Sequence, residues 1–117
     1  MGRPPLNRRV EGEPRVRFFK PQGVPMAELA ESILTKDGLE AVRLADVEGL
    51  YHDEAARRMG VSRATFGRVL EQARRAVGEA ITQGRALRIE GGNVEVVRGM
   101  PGAGFGRFRG RRRCGRE

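Results

Sequence analysis

The sequence is poor in the residues that build disulfides, zinc sites and membrane spans. It contains one cysteine, Cys114, and one histidine, His52. One cysteine cannot form an internal disulfide framework. A structural zinc site of the usual nitrogen and sulfur type lacks sufficient ligands. No apolar run approaches the roughly 18–20 residues that a membrane-spanning helix needs, and no apolar segment follows the charged N-terminus as in a secretory signal. We expect a cytoplasmic protein with no membrane association.

The sequence also lacks the usual signatures of catalysis. No glycine pattern of the nucleotide-binding kind opens a helix after a strand. Cys114 lies in a polar tail, which cannot hold the geometry of a nucleophilic pair with His52. Four acidic residues cluster in the sequence and could hold a divalent ion: Asp46, Glu48, Asp53 and Glu54. The favoured interpretation is that they lie at the solvated end of one helix and at the start of the next. We expect no enzyme activity, no metal and no cofactor.

The positive charge is concentrated at the two ends of the chain. The 117 residues carry 23 Lys and Arg against 15 Asp and Glu. Residues 1–20 hold six bases and two acids, residues 98–117 hold seven arginines and one glutamate, and the centre holds ten bases and twelve acids. Segment 98–117 is too polar to offset its ordering entropy, so we expect a disordered tail. Its arginines are candidates for non-specific contact with nucleic acid: Arg107, Arg109, Arg111, Arg112 and Arg113.

We expect a mainly α protein, in which a small helical domain is followed by a β-hairpin and the tail. Residues 1–20 form a basic arm containing a short strand or anchor at 16–20, residues 21–84 the helical domain, and residues 85–97 the hairpin. The apolar spacing from Met26 to Leu34 predicts a first helix. Asp37 is a good N-cap, and with Glu40 three residues later it predicts a second helix that ends at Gly49.

Residues 86–97 alternate around Gly91 and Gly92, which predicts a two-residue hairpin. In that register Ile89 faces Val94 on the apolar side. Arg88 faces Glu95 on the other side as a cross-strand ion pair.

The most informative segment, about residues 52–83, has the pattern of a helix-turn-helix. A short helix from about Asp53 to Met59 is followed by Gly60, because such a corner often needs a positive φ. Ser62 is an N-cap for a longer helix that runs to about Gln83. Its expected inward stripe is Phe66, Val69, Leu70, Ala73, Val77, Ala80 and Ile81.

In a DNA-binding motif of this kind the N-terminal part of the second helix enters the major groove. The candidate DNA-binding residues are Ser62, Arg63, Ala64, Thr65, Gly67 and Arg68, with His52 as a phosphate contact. Two of these have ordinary alternatives: His52 as an exposed histidine and Gly67 as a tolerated surface glycine. Residues 57–75 carry six arginines against one glutamate, which favours a nucleic-acid partner.

The segments LEAVRLAD (39–46) and MGVSRATFGRVLEQAR (59–74), with the MGRPPLNRRV opening, resemble an uncharacterised prokaryotic family of predicted DNA-binding proteins, domain of unknown function 134. Its helix-turn-helix is similar to region 4 of sigma-70 factors. The resemblance extends to Gly92 and implies a DNA-binding transcriptional regulator that uses Ser62, Arg63, Thr65 and Arg68. The chain departs from the family at His52, where glutamine is expected, and lacks an N-terminal cysteine that some members have.

The leading hypothesis is a sequence-specific reader of double-stranded DNA that acts in transcription. One alternative is an RNA-binding or ribosome-associated protein that uses the Arg/Gly tail. Another is a sigma-like interaction module that docks on RNA polymerase subunits. A homodimer on paired half-sites stays open, as does the target sequence.

Overall fold

The computed structural model describes residues 7–97. The expectations for the tail, including its five candidate arginines, lie outside the described residues. Ten elements follow one another along the chain: strand β1 (Arg8–Val10), strand β2 (Phe18–Phe19), a 3₁₀ turn (Met26–Glu28), strand β3 (Glu31–Leu34), helix α1 (Lys36–Val42), a π-helical segment (Arg43–Val47), helix α2 (His52–Met59), helix α3 (Arg63–Gln83), strand β4 (Ala86–Ile89) and strand β5 (Val94–Val96).

The expectation of a mainly α protein was wrong, because five strands in residues 7–97 form two sheets beside the helices. In the three-stranded sheet β4 lies between β2 and β3, antiparallel to β2 and parallel to β3. In the second sheet β1 and β5 pair in parallel, with Val10 opposite Val96. The described part of the chain is therefore a mixed α and β structure, in which segments 7–20 and 85–97 contribute to both sheets.

The predicted hairpin was wrong in its pairing. Gly91 and Gly92 do take positive φ values of 81° and 98°, but the two strands they join run to different sheets. Arg88 pairs with Glu31 of β3 and does not face Glu95. Alternation predicts that a segment has two faces, but it does not specify which other segment completes its hydrogen bonds.

The predicted helix from Met26 was also wrong, since only a 3₁₀ turn forms there and β3 follows it. Within β3 burial alternates: Ser32 and Leu34 are buried, whereas Glu31 and Ile33 are exposed. The apolar spacing of Met26–Leu34 is helical and does not alternate, so the pairing of β3 with β4, far along the chain, overrides the local pattern.

The next helix forms, but its cap differs from the prediction. Thr35 is the N-cap of α1, and its hydroxyl oxygen accepts from the Gly38 N–H at 3.1 Å. Asp37 lies inside the helix, and Glu40 is buried instead of reaching back to a cap. The helix then widens into the π-helical segment before Gly49, whose φ is 76°.

The predictions for α2 and α3 are confirmed. Gly60 ends α2 in the left-handed region with φ 70°, Ser62 caps α3, and Gly84 ends α3 with φ 67°. The principal core packs α1, α2 and α3 around Phe66, with Leu44 and Met59 fully buried. A second cluster, Leu34, Ala73 and Ile89, joins α3 to the three-stranded sheet. Ile81 departs from the expected inward stripe, since 76% of it is exposed.

Within residues 7–97 the helices are too short or too polar to cross a lipid bilayer.

Candidate nucleic-acid interface

The corner between α2 and α3 is held by local hydrogen bonds. The Gly60 N–H donates to the Arg57 carbonyl at 3.1 Å, and the Val61 N–H donates to the Ala56 carbonyl at 3.0 Å. The Ser62 hydroxyl oxygen then accepts from the Thr65 N–H at 3.1 Å and so begins α3. Since a side chain is strained at a φ of 70°, glycine suits the corner. Local hydrogen bonds at Gly60, Val61 and Ser62 therefore form the turn between the two helices.

A row of polar side chains runs along the first two turns of α3. Ser62, Thr65 and Arg68 are three residues apart, which places them on one face of a helix. The Ser62 hydroxyl lies 3.0 Å from the Thr65 hydroxyl, and an Arg68 Nη atom lies 3.4 Å from the same Thr65 oxygen. Ser62 and Arg68 are exposed and Thr65 is half-buried. These three side chains, which we call the α3 row, form a hydrogen-bonded strip open to solvent.

The structure places the other predicted residues of α3 around this row. Arg63 and Ala64 are exposed, and Gly67 is half-buried. A Cβ added at Gly67 would meet nothing within 4 Å. The first turns of α3 are thus exposed to solvent on their outer face. At Gly67 no side chain covers the helix backbone.

His52 packs against the core and is not one of these exposed residues. Its ring packs edge-on against the buried Phe66, with ring centroids 5.2 Å apart and planes at 66°. The side chain is half-buried, and this contact explains its position at the start of α2. A phosphate contact from His52 stays a prediction.

Ion pairs neutralise most of the arginine cluster that the sequence shows at 57–75. Five of its six arginines lie within 4 Å of a carboxylate: Arg57 with Glu54, Arg58 with Glu11 and Glu54, Arg63 with Asp53, Arg74 with Asp46, and Arg75 with Glu79. Arg68 is the exception, because in residues 7–97 it contacts no acid. Charge counted along the sequence missed this pairing, since Glu11, Asp46 and Asp53 lie outside the counted window.

The pair between Arg63 and Asp53 is nevertheless weakly held. The Nε–Oδ1 distance is 3.1 Å, but the two side chains are 68% and 79% exposed. Exposed pairs of this kind contribute about 0–1 kcal/mol. A phosphate group can therefore replace Asp53 at small cost, and Arg63 remains available to an anionic ligand.

Sequence reasoning missed Arg9, which lies beside the corner. A Cβ built on Gly60 would be 3.4 Å from the Arg9 Nε and 3.6 Å from its Cζ. The arginine is exposed. No sequence signal pointed to it, because the pairing of β1 with β5 that places it there was not predicted.

A buried network of charges fixes β1 against the helices. Glu40 is 1% exposed, and its carboxylate accepts hydrogen bonds from the Arg43 Nε at 3.0 Å and from Nη2 at 2.9 Å. The same Nη2 donates to Glu11 at 2.7 Å, and Arg58 of α2 donates to Glu11 at 3.1 Å. Burial alone would lower the pKa of the Arg43 guanidinium, but the hydrogen bonds and charges of Glu40 and Glu11 outweigh it and raise that pKa.

The four acidic residues that the sequence offered as a cation site each face an arginine. Asp46 pairs with Arg74, Glu48 with Arg43, Asp53 with Arg63, and Glu54 with Arg57 and Arg58. In the described part of the chain, no three side chains with metal-ligating atoms come together.

Comparison with known proteins shows the family. A profile described as "Protein of unknown function DUF134" matches residues 1–97. A UPF0251 protein of Pelotomaculum thermopropionicum is 53% identical over 100 residues, which cover 86% of this chain and 76% of that protein. One from Prosthecochloris aestuarii is 56% identical over 93 residues, covering 80% and 60% of the two chains. No solved structure matches the chain. The chain therefore belongs to the DUF134 family of proteins of unknown function, the UPF0251 proteins.

Proposed function

We propose that this protein binds double-stranded DNA sequence-specifically through α3, as a helix-turn-helix regulator of transcription. The observation that carries the proposal is the α3 row, which follows the Gly60 corner and ends in an arginine without an acidic partner among residues 7–97. In helix-turn-helix proteins the N-terminal residues of the second helix reach base edges, while the first helix crosses the phosphate backbone.

Each member of the surface has a chemical role in this proposal. Arg68 is the candidate for bidentate contact with guanine O6 and N7. Ser62 and Thr65 donate to phosphate oxygens, and the N-terminal end of α3 favours the negative charge. Arg63 exchanges Asp53 for a phosphate or a base. Ala64 contacts a thymine methyl group, and Gly67 permits the helix backbone to approach closely.

The test begins with selection of duplexes from a random DNA pool by the full-length protein. The selected duplex and a scrambled duplex are then titrated with the wild type, with Arg68→Ala and with Arg63→Ala. Each lost base contact weakens binding to the selected duplex by about 1–3 kcal/mol and relaxes sequence preference at that position.

The matched control is Arg75→Ala. Arg75 lies on the same helix, carries the same charge and is about 18 Å beyond Arg63 at 1.5 Å per residue. We expect this variant to keep the selectivity of the wild type. Equal loss of selectivity in Arg75→Ala and Arg68→Ala would contradict the proposal, as would selection of no sequence by the wild type. Tighter binding of a single-stranded RNA competitor than of the selected duplex would support the RNA-binding alternative.

A further inference from the structure

The exposed cation Arg9 has the properties of a second DNA contact outside the helix-turn-helix. Within residues 7–97 its side chain makes no hydrogen bond or ion pair, although most arginines of the described chain have an acidic partner. The residues on either side of Arg9 point toward the protein: Arg8 forms an ion pair with the buried Asp37, and Val10 is 3% exposed. The strand therefore holds Arg9 outward while it anchors the residues on either side.

The position of Arg9 is fixed by buried contacts and by strand pairing. Glu11, the residue directly after β1, accepts hydrogen bonds from Arg58 of α2 and from Arg43. These bonds hold the end of β1 against α2. Arg9, two residues earlier, reaches Gly60, the residue that ends α2. The β1–β5 pairing, with Arg9 opposite Glu95, holds the backbone.

This position is next to the candidate reading helix. Gly60 precedes Ser62 by two residues, so their Cα atoms are at most about 8 Å apart at 3.8 Å per residue. A helix seated in the major groove, which is about 12 Å wide, brings the residues before its N-terminus against the flanking phosphates. A guanidinium beside the corner is then within reach of the DNA backbone.

We propose that Arg9, held beside the Gly60 corner by β1, binds a DNA phosphate that flanks the groove read by α3. The inference depends on the proposed DNA-binding function and adds to it a contact from a different part of the chain. Phosphate contacts position a protein on DNA without reading sequence. Arg9 therefore contributes affinity and orientation, while the α3 row contributes selectivity.

A purely structural role for Arg9 makes a different prediction. A cation near the C-terminal end of a helix stabilises the helix dipole, and Arg9 lies against the end of α2. Loss of that interaction would lower the melting temperature without changing the number of phosphates bound. Salt dependence separates the two roles, because log K falls with log salt by about 0.9 for each phosphate neutralised.

The experiment measures binding of the full-length protein to the selected duplex and to the scrambled duplex at several salt concentrations. For Arg9→Ala we expect weaker binding to both duplexes by the same factor, and a salt slope smaller by about 0.9. Arg9→Lys should restore the slope. Arg15→Ala is the matched control, since Arg15 is exposed, lies in the same N-terminal region and has no acidic partner in the described residues.

The outcomes separate this inference from the proposed function. If the wild type binds duplex selectively and Arg68→Ala loses selectivity, but Arg9→Ala keeps the wild-type slope, only the Arg9 contact is refuted. The same conclusion follows if Arg15→Ala reduces the slope as much as Arg9→Ala, or if Arg9→Ala changes only the melting temperature. If the wild type binds neither duplex at low salt, the proposed function and the Arg9 contact both fall.

Discussion

The Nη2 atom of Arg43 lies 2.7 Å from Oε1 of Glu11, a residue 32 positions earlier in the chain, and both side chains are about nine-tenths buried. This pair joins the residue directly after strand β1 to the segment that follows α1. Since β1 carries Arg9, the pair connects the interior of the protein to the corner before α3. The pair of Arg43 with Glu11 thereby helps to hold Arg9 beside that corner.

Replacing Arg43 by methionine should be strongly destabilising. The change leaves the buried Glu40 without its principal partner, and an uncompensated buried charge costs about 3–5 kcal/mol. Urea denaturation measures the loss as a lower transition midpoint. Arg74→Met is the control, because it breaks an exposed ion pair. The Arg74 and Asp46 side chains are 55% and 39% exposed, so losing their pair should cost about 0–1 kcal/mol. Similar losses for the two variants would contradict the importance of the buried network.

Alanine at Gly67 should separate stability from DNA binding. A Cβ there meets nothing within 4 Å, so Gly67→Ala should raise the free energy of unfolding by about 0.8–1.0 kcal/mol through helix propensity. If α3 approaches DNA at this point, the same methyl group weakens duplex binding. Gly78→Ala is the matched control, since Gly78 is on the same helix and is equally open. Gly78→Ala should raise the free energy of unfolding and leave duplex binding unchanged. Unchanged duplex binding in both variants would argue against close approach of DNA at Gly67.

Asparagine at Asp53 should strengthen duplex binding. It removes the carboxylate that pairs with Arg63 and would repel a phosphate, so affinity should rise, and most at low salt. The same change should lower thermal stability slightly, because Asp53 lies at the N-terminal end of α2, where a negative charge is favourable by about 0.3–1 kcal/mol. Glu79→Gln, which frees Arg75 and Arg85 elsewhere on the surface, serves as the control. Unchanged duplex affinity in Asp53→Asn would show that Arg63 takes no part in binding.

The exposed pair between Glu31 and Arg88 should make a pH-dependent contribution to stability. The side-chain hydrogen bond from Arg88 holds the pKa of Glu31 below its usual value of 4.5. Because the folded-state pKa is the lower one, the contribution is complete above pH 4.5 and is lost as the pH falls through the folded pKa. Melting temperatures of the wild type and Glu31→Gln should therefore differ at neutral pH and converge once the pH is below the lowered folded-state pKa of Glu31. A difference that persists at low pH would refute this origin.

The sequence predicted the α2–α3 unit correctly because the signals that define it are local. Gly60 and Gly84 provide the positive φ values at the two helix ends, and the Ser62 side chain satisfies an N–H three residues away. The prediction was wrong for Met26–Leu34 and for residues 86–97. In the first segment pairing with β4 overrode a helical apolar spacing, and in the second the alternation was correct but did not specify the strand partners.

The candidate site was predictable to a similar extent. Ser62, Arg63, Ala64 and Arg68 are exposed at the start of α3, as an outward face of the second helix requires. The pairing of Arg63 with Asp53 and the position of Arg9 were not predictable, because each depends on how separate elements pack.

By itself the sequence determined the corner, the two helices around it and the outward face of α3, since the signals that start and end these helices are hydrogen bonds between residues three to five positions apart. Only the tertiary structure decided which strands pair, which arginines keep an unopposed charge and where β1 lies. Those outcomes depend on contacts such as Arg43 with Glu11 and Arg88 with Glu31, which are 32 and 57 residues apart. No local pattern encodes such partners, because each strand edge and each charge has several candidates until the chain packs.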